Sequence, residues 1–153
     1  IKPTTWMNEI LPKHVDAVGL HPLFGPQSGK DGIEGLNIVV CDVRGQRVTC
    51  VEKFLRDTLR LNVFTTTPED HDKQLAYVQG LTHLIAKVVV SMDLPDFKLK
   101  TKTFDLMQHM VEMVRYDSDD LFKAIERDNP FTAEAKEKFF GAARELEEKL
   151  TRG

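Results

Sequence analysis

The chain has 153 residues, 41% of them hydrophobic and 29% charged, which suffices for one ordinary globular domain or for a small domain and part of another. Its formal net charge of -3 comes without any run of about five or more like charges, so no basic surface for nucleic acid is evident. No apolar run approaches the roughly 18 residues of a membrane helix. We therefore expect neither nucleic acid nor a membrane as a partner.

The two cysteines favour a reducing compartment. Cys41 and Cys50 form no C-x-x-C pair and have no cluster of cysteine or histidine around them, so we expect neither a disulfide nor a metal site. The chain starts at Ile1 without the basic and apolar segments of a signal peptide. We expect a cytoplasmic protein.

The first 67 residues alternate short apolar runs with polar or glycine-rich turns, as small α/β structures do. In chain order they predict a helix over 2–11, strands over 15–20 and 35–43, a helix over 48–61 and a third strand over 62–67. The second helix rests on apolar residues at helical spacing, among them Phe54, Leu55 and Leu59. These are too few strands for a complete sheet, so this part is predicted to be the second half of an α/β domain.

From residue 68 onward no strand pattern recurs, and the chain predicts helices alone. They are expected over 68–92, over 103–115, over a short segment that follows a cap at 117–119 and stops before Pro130, and over 132–152. The first has an apolar arc wider than one surface face requires, so we expect it to be buried on more than one side, in a bundle or a dimer core. The predicted fold class is mixed α/β followed by all-α.

His21 is the first candidate for chemistry. It follows the predicted strand at 15–20, and ligands of open α/β sheets bind at the carboxyl ends of strands, where an imidazole can move a proton near neutral pH. A purely structural histidine that bonds a backbone carbonyl fits the same position. The loop "GPQSGKDG" after it is not a phosphate-binding P-loop, because three residues separate its glycines and Asp31 follows its lysine.

A second polar cluster opens the long helix, in "EDHDKQLAYVQGLTHL". On a regular helix His71 and His83 lie about 120° apart, so they cannot form the i, i+4 pair of a helical metal site. Gln79 and Thr82 add polar atoms to an otherwise apolar helix, and buried polar atoms need partners. An ordinary capped helix with one satisfied histidine explains the cluster equally well.

The two segments together resemble one enzyme family. "GLHPLFGPQSGKDG", followed about 50 residues later by "DHDKQLAYVQGLTHL", resembles the motifs of the prephenate and arogenate dehydrogenases of tyrosine biosynthesis. The segment "TKTFDLMQHMVEMVRYDSDDLFKAI" is similar to the helical domain of that family, most of all to its arogenate-type members. The resemblance covers nearly the whole chain.

The resemblance implies a role for each matched residue. His21 would be the catalytic histidine, bonded to the ring 4-hydroxyl of prephenate or arogenate; it would draw off that proton as hydride leaves the same carbon for NAD or NADP and the ring carboxylate departs as carbon dioxide. The substrate-binding residues would be His71, His83, Ser28, Gln79 and Thr82. Pro22 and Gly29 would lie near the cofactor.

The resemblance also implies a domain organisation. Residues 1–67 would be the C-terminal part of a Rossmann-like dinucleotide-binding domain, and residues 68–153 an all-helical domain for dimerisation and substrate binding, giving a homodimer. The glycine-rich turn that holds the pyrophosphate in this family is absent, so we expect a C-terminal fragment that is inactive and cannot bind the cofactor alone.

Two positions depart from the family pattern. Gln27 stands where many relatives have an acidic residue, which puts gating by an ion pair in doubt. Met113 stands where prephenate-specific members have an arginine for the substrate's side-chain carboxylate, and Arg115 lies two residues away. We assign that role to neither residue.

Two other functions compete with the dehydrogenase. The chain could be a non-catalytic helical dimerisation module in which the histidines are structural. A metal-dependent hydrolase using His21, His71 and His83 would need three convergent imidazoles and an open coordination position, which the helix geometry opposes.

Overall fold

The computed structural model describes residues 2–152, with side chains from residue 4 onward. The chain divides between Asp72 and Lys73 into two compact units. The boundary predicted from the sequence falls five residues earlier, after residue 67. Each unit is described here by itself.

The first unit is a small α/β structure. Its elements are α1 (Lys2–Ile10), β1 (Ala17–Pro22), β2 (Asn37–Arg44), α2 (Val48–Lys53), the π-helical segment π1 (Phe54–Thr58), β3 (Asn62–Thr66) and the beginning of α3 (Pro68–Leu75). Three strands and the helix after the second strand were predicted, and all are present. The first strand begins and ends two residues later than predicted, so it contains His21 instead of ending before it.

The three strands form one mixed sheet in the order β1-β2-β3. β1 runs antiparallel to β2, whereas β2 and β3 are parallel. Val39 therefore pairs with His21 on one side and with Phe64 on the other. Since β1 runs in the opposite direction, His21 lies beside the amino-terminal half of β2. The prediction that His21 lies at the carboxyl end of its own strand is confirmed. The inference that the carboxyl ends of the other strands meet there was wrong, because it assumed that all strands run in parallel.

The central strand β2 is covered on both faces. Ile38, Val39, Val40 and Cys41 are all buried, and successive strand residues point to opposite faces. On one face, Ile38 and Val40 join Leu55, Leu61 and Val63 in an apolar core. Partly buried side chains complete this core: Val18, Phe24, Ile33, Leu36, Val48, Val51 and Leu59.

The second unit is entirely helical within its described residues. Its elements are the end of α3, π2 (Ala76–Leu81), α4 (Thr82–Ser91), α5 (Lys102–Val114), α6 (Asp119–Lys123), π3 (Ala124–Asp128) and α7 (Thr132–Thr151). The side chains of Thr101 and Ser118 cap α5 and α6 by accepting hydrogen bonds from backbone N–H groups. Ala86, Val111 and Val114 form a core between α4 and α5.

The long helix predicted over 68–92 is interrupted. Residues 76–81 are π-helical, which changes the angle between side chains before and after them. The face calculation for His71 and His83 assumed a regular α-helix and is therefore invalid. Within a single chain Val78 is 65% and Val88 43% exposed, so the predicted burial in a dimer core stays a prediction. No helix among residues 2–152 is long and apolar enough to cross a membrane.

Candidate functional site

His21 and His71 meet in the first unit, although 50 residues separate them in the chain. Nδ1 of His21 lies 2.7 Å from Nε2 of His71, and the two rings stand edge to face with their centroids 5.0 Å apart. Residues opposite one another in an antiparallel pair share a face of the sheet, so His21 lies on the face of Val39, opposite the apolar core. The first histidine motif and the first histidine of the second motif thus meet in one cluster.

The N-terminus of α3 holds His71 in place. Thr67, directly after β3, accepts a hydrogen bond at Oγ1 from the backbone N–H of Asp70, and the N–H of His71 donates to the Thr67 carbonyl at 2.9 Å. Such a cap stabilises a helix start by about 1 kcal/mol and fixes where its first turn begins. The side chain of His71 is therefore held by backbone geometry as well as by its own contacts.

Asp72 completes the cluster and was not singled out from the sequence. Its Oδ1 lies 2.8 Å from Nδ1 of His71, and the side chains of His71 and Asp72 are only 16% and 11% exposed. Burying an unpaired carboxylate costs folding free energy, so a buried Asp72 needs a partner, and the imidazole of His71 is that partner. The signal in the sequence is the adjacent pair His71 and Asp72 at a helix start, where an acidic residue is also expected for helix stability alone.

The electrostatics favour a neutral His21. Burial lowers the pKa of His21, the neighbouring His71 lowers it further, and the charge of Asp72 opposes them in part. Burial and Asp72 together raise the pKa of the Cys41 thiol, which keeps that side chain uncharged. An unprotonated imidazole near neutral pH can accept a proton, so His21 has the protonation state of a general base.

The loop after His21 is an exposed, tightly turned segment. Oγ of Ser28 accepts a hydrogen bond from the N–H of Gly25 at 3.0 Å, and the N–H of Gly29 donates to the Gly25 carbonyl at 2.9 Å. A Cβ at Gly29 would lie 3.3 Å from that carbonyl oxygen, so the close turn favours glycine. Pro22 is the last residue of β1. Ser28 and Gly29 therefore shape the loop.

The remaining predicted site residues belong to the second unit. His83 is buried, and its Nδ1 lies 3.3 Å from Oδ2 of Asp117. Thr82 donates its hydroxyl hydrogen to the carbonyl of Val78 at 2.6 Å, while Gln79 is partly buried. The hydroxyl hydrogen of Thr82 is thus already used in a hydrogen bond to the backbone of the preceding turn.

The two departures from the family pattern lie at exposed positions. Gln27 is in the exposed loop after β1, and Met113 on α5 is 49% exposed. Arg115 donates from Nη1 to Oε1 of Glu112, one turn before it on the helix, at 2.7 Å. Among residues 2–152, no group of three or more His, Cys, Asp or Glu side chains is arranged to hold a metal ion.

Curated proteins of similar sequence are arogenate dehydrogenases. The chain is 30% identical over 154 aligned positions to arogenate dehydrogenase 2, chloroplastic, from Arabidopsis thaliana, and 28% identical over 156 to arogenate dehydrogenase 1, chloroplastic, of the same plant. Each alignment covers 97% of this chain but only 43% and 24% of the respective relative, so the chain spans less than half the length of either. No family model matches the chain.

Solved structures of similar fold come from the same group of enzymes. Prephenate dehydrogenase from A. aeolicus, in complex with hydroxyphenyl propionate and NAD+, aligns with a TM-score of 0.72 over 99% of this chain and 56% of its own, at 20% identity. Synechocystis arogenate dehydrogenase aligns with a TM-score of 0.64 over 91% of this chain and 55% of its own, at 14% identity. These likenesses confirm the mixed α/β and helical fold.

Proposed function

The chain is homologous to the arogenate and prephenate dehydrogenases over nearly its whole length, and we propose that it forms the part of such an enzyme that carries the catalytic histidine. The observation that carries this proposal is the contact between His21 and His71, which unites two separate motifs in one partly buried site. The proposed reaction is oxidative decarboxylation of prephenate to 4-hydroxyphenylpyruvate or of arogenate to tyrosine.

In this reaction His21 acts as the general base. Nε2 of its neutral ring accepts the proton of the substrate's ring 4-hydroxyl as hydride leaves the same carbon. When bound, NAD or NADP supplies the nicotinamide that accepts this hydride. Loss of the ring carboxylate as carbon dioxide returns an electron pair to the ring, which becomes aromatic. The overall reaction releases no proton, so His21 must return the proton to the phenolic oxygen before the next turnover.

The described residues fit only one end of the cofactor. Pro22 and Gly29 border the exposed turn that follows His21, and Ser28 stands in the same turn, where we propose that the nicotinamide end of the cofactor binds. The chain contains no G-x-G-x-x-G turn that could hold a pyrophosphate. We therefore propose that residues 1–67 belong to a Rossmann-like domain whose phosphate-binding turn lies outside this chain.

We assign residues 68–153 to an all-helical domain for substrate binding and homodimer formation. His83, Gln79 and Thr82 are proposed to bind substrate. Support for a dimer comes from apolar side chains that the second unit leaves exposed. They are Val78 at 65%, Val88 at 43%, Met92 at 58%, Leu106 at 58%, Leu146 at 59% and Leu150 at 75%. A monomer in size-exclusion chromatography with light scattering would refute this part.

The cytoplasmic location also stays a prediction, and both plant relatives are named chloroplastic.

The test is a spectrophotometric assay of the full-length protein with prephenate or arogenate and each nicotinamide cofactor. Turnover with either substrate supports the proposal, and the His21→Asn variant should lose about 10²- to 10⁴-fold in kcat with little change in melting temperature. If His21→Asn instead unfolds the protein and the wild type turns over nothing, the non-catalytic dimerisation module becomes the better explanation. The matched control is His14→Asn, an exposed histidine of the same unit, which should keep wild-type turnover.

A further inference from the structure

The hydrogen bond between Asp72 and His71 determines which nitrogen of His71 carries hydrogen. An ionised carboxylate only accepts hydrogen bonds, so at 2.8 Å from Oδ1 of Asp72 the Nδ1 of His71 must be the donor. In the neutral ring Nε2 then has a lone pair and no hydrogen. His71 can therefore accept one hydrogen bond, at Nε2.

The same reasoning extends one ring further. Nε2 of His71 lies 2.7 Å from Nδ1 of His21, so the hydrogen between them comes from His21. A neutral His21 with its hydrogen on Nδ1 has its lone pair on Nε2, the nitrogen that faces away from His71. That atom is the one required to accept a proton from a substrate hydroxyl.

We propose that Asp72 and His71 are positioning residues that hold His21 in the tautomer with a free Nε2 and that share the proton His21 takes up. This inference rests on the proposed function, in which His21 is the base. When Nε2 of His21 gains the hydroxyl proton, its Nδ1 hydrogen can pass to Nε2 of His71, and the positive charge then lies beside the Asp72 carboxylate. The transfer reverses when the product oxygen regains its proton, so the balance of the reaction is unchanged.

Burial makes this orientation effective. The side chains of His71 and Asp72 have little contact with water, and a hydrogen bond to a charged group is stronger away from water. Asp72 and His71 are adjacent in the first turns of α3, whose start is fixed by the Thr67 cap. The backbone of α3 thus holds His71 and Asp72 in place, and His21 bonds to this pair through His71.

The second imidazole and carboxylate pair in the chain has a different geometry. Nδ1 of His83 lies 3.3 Å from Oδ2 of Asp117 but forms no hydrogen bond within the described residues. Such a contact does not dictate a tautomer. Of these two imidazole and carboxylate pairs among the described residues, the pair around His21 therefore has the chain of two short hydrogen bonds and the pair at His83 does not.

The test combines the tautomers of both histidines with kinetics in the full-length protein. Nitrogen-15 imidazole spectra of the wild type at neutral pH should show hydrogen on Nδ1 of both His21 and His71. In Asp72→Asn the amide can donate to His71 and reverse both rings, so kcat should fall by about 10- to 100-fold while KM stays close to the wild type. Asp57→Asn, which removes an exposed carboxylate of the same unit, should change neither property.

Each outcome decides the proposal. A hydrogen on Nε2 of His71 in the wild type, or wild-type kcat in Asp72→Asn, overturns it. If Asp72→Asn fails to fold, the wild-type spectrum alone decides, because it needs no variant. If the wild type turns over neither prephenate nor arogenate, the proposed function fails, whereas the spectrum still shows whether Asp72 orients both rings.

Discussion

His83 lies 3.3 Å from Asp117, yet its pKa lies below the usual value because burial outweighs the effect of the carboxylate. Burial lowers the pKa of His83 more than the charges of Asp117 and Glu126 raise it, and Lys87 lowers it further. His83 is only 9% exposed, so its imidazolium form would lose most of its hydration. The folded state of the second unit therefore favours a neutral His83.

This preference predicts a pH dependence of stability. Because the folded pKa of His83 lies below its usual value of 6.5, the unfolded chain binds protons more readily as pH falls through that value. The free energy of unfolding should drop as pH falls below about 6.5, and His21 adds to this drop with the same sign. Urea denaturation at about pH 7.5 and about pH 5.5, where ordinary carboxylates stay ionised, measures the difference.

The His83→Gln variant should lose less stability between these two pH values than the wild type does. His14→Gln is the control, because His14 is exposed. Should His83→Gln show the full wild-type drop, His83 does not titrate with a lowered pKa and the electrostatic account of the second unit is wrong.

The core of the first unit predicts a second result. Leu55 is 5% exposed and packs with Ile38, Val40 and Val63. Leu55→Ala removes three buried carbon atoms and leaves a cavity, so it should lower the free energy of unfolding by about 2–5 kcal/mol. Thermal and urea unfolding of the variant provide the measurement.

Leu99→Ala makes the same truncation at a side chain that is 96% exposed and should be nearly neutral. Equal losses in the two variants would mean that the side chain of Leu55 does not belong to the packed core, or that Leu99 is covered in the assembled protein.

The sequence predicted the elements of this chain better than their arrangement. Alternating and helical patterns identify a strand or a helix, but they do not show in which direction a strand runs within the sheet. The antiparallel direction of β1 was therefore missed, and His21 was expected at the edge where the carboxyl ends of all strands meet. The π segments were missed because five or six residues are too few to separate a π-helical from an α-helical pattern.

The site was predicted in part for similar reasons. The resemblance named His21 and His71, but their contact depends on the strand register and on the cap at Thr67, neither of which a single sequence determines. Asp72 was overlooked because an acidic residue near a helix start is common. Its partner is its own neighbour in the chain, and only the backbone geometry shows that the two side chains bond.

Cofactor binding gives a third prediction. The chain has no glycine-rich turn for a pyrophosphate, so calorimetric titration of this chain with NAD or NADP should show no binding at micromolar concentrations. The full-length protein, titrated in parallel, serves as the positive control. Micromolar binding by the chain alone would mean that residues 1–67 hold the dinucleotide by another arrangement. It would contradict the proposal that the phosphate-binding turn lies outside this chain.

Two helical glycines should respond to alanine with opposite signs. A Cβ at Gly141 on α7 would meet no atom within 4 Å, so Gly141→Ala should raise the free energy of unfolding by about 0.5–1 kcal/mol through helix propensity. At Gly80, in π2, the added carbon would lie 3.2 Å from Cγ2 of Thr132, which is itself buried. The crowding should cost about 1–3 kcal/mol.

Urea denaturation of both variants at one protein concentration tests this pair, because association would otherwise shift the midpoints. Each glycine serves as the control for the other, since the chemical change is the same. A stabilising Gly80→Ala would show that π2 can move away from α7 at little cost. A destabilising Gly141→Ala would instead show that the surface of α7 around Gly141 is covered in the assembled protein, as the proposed homodimer allows.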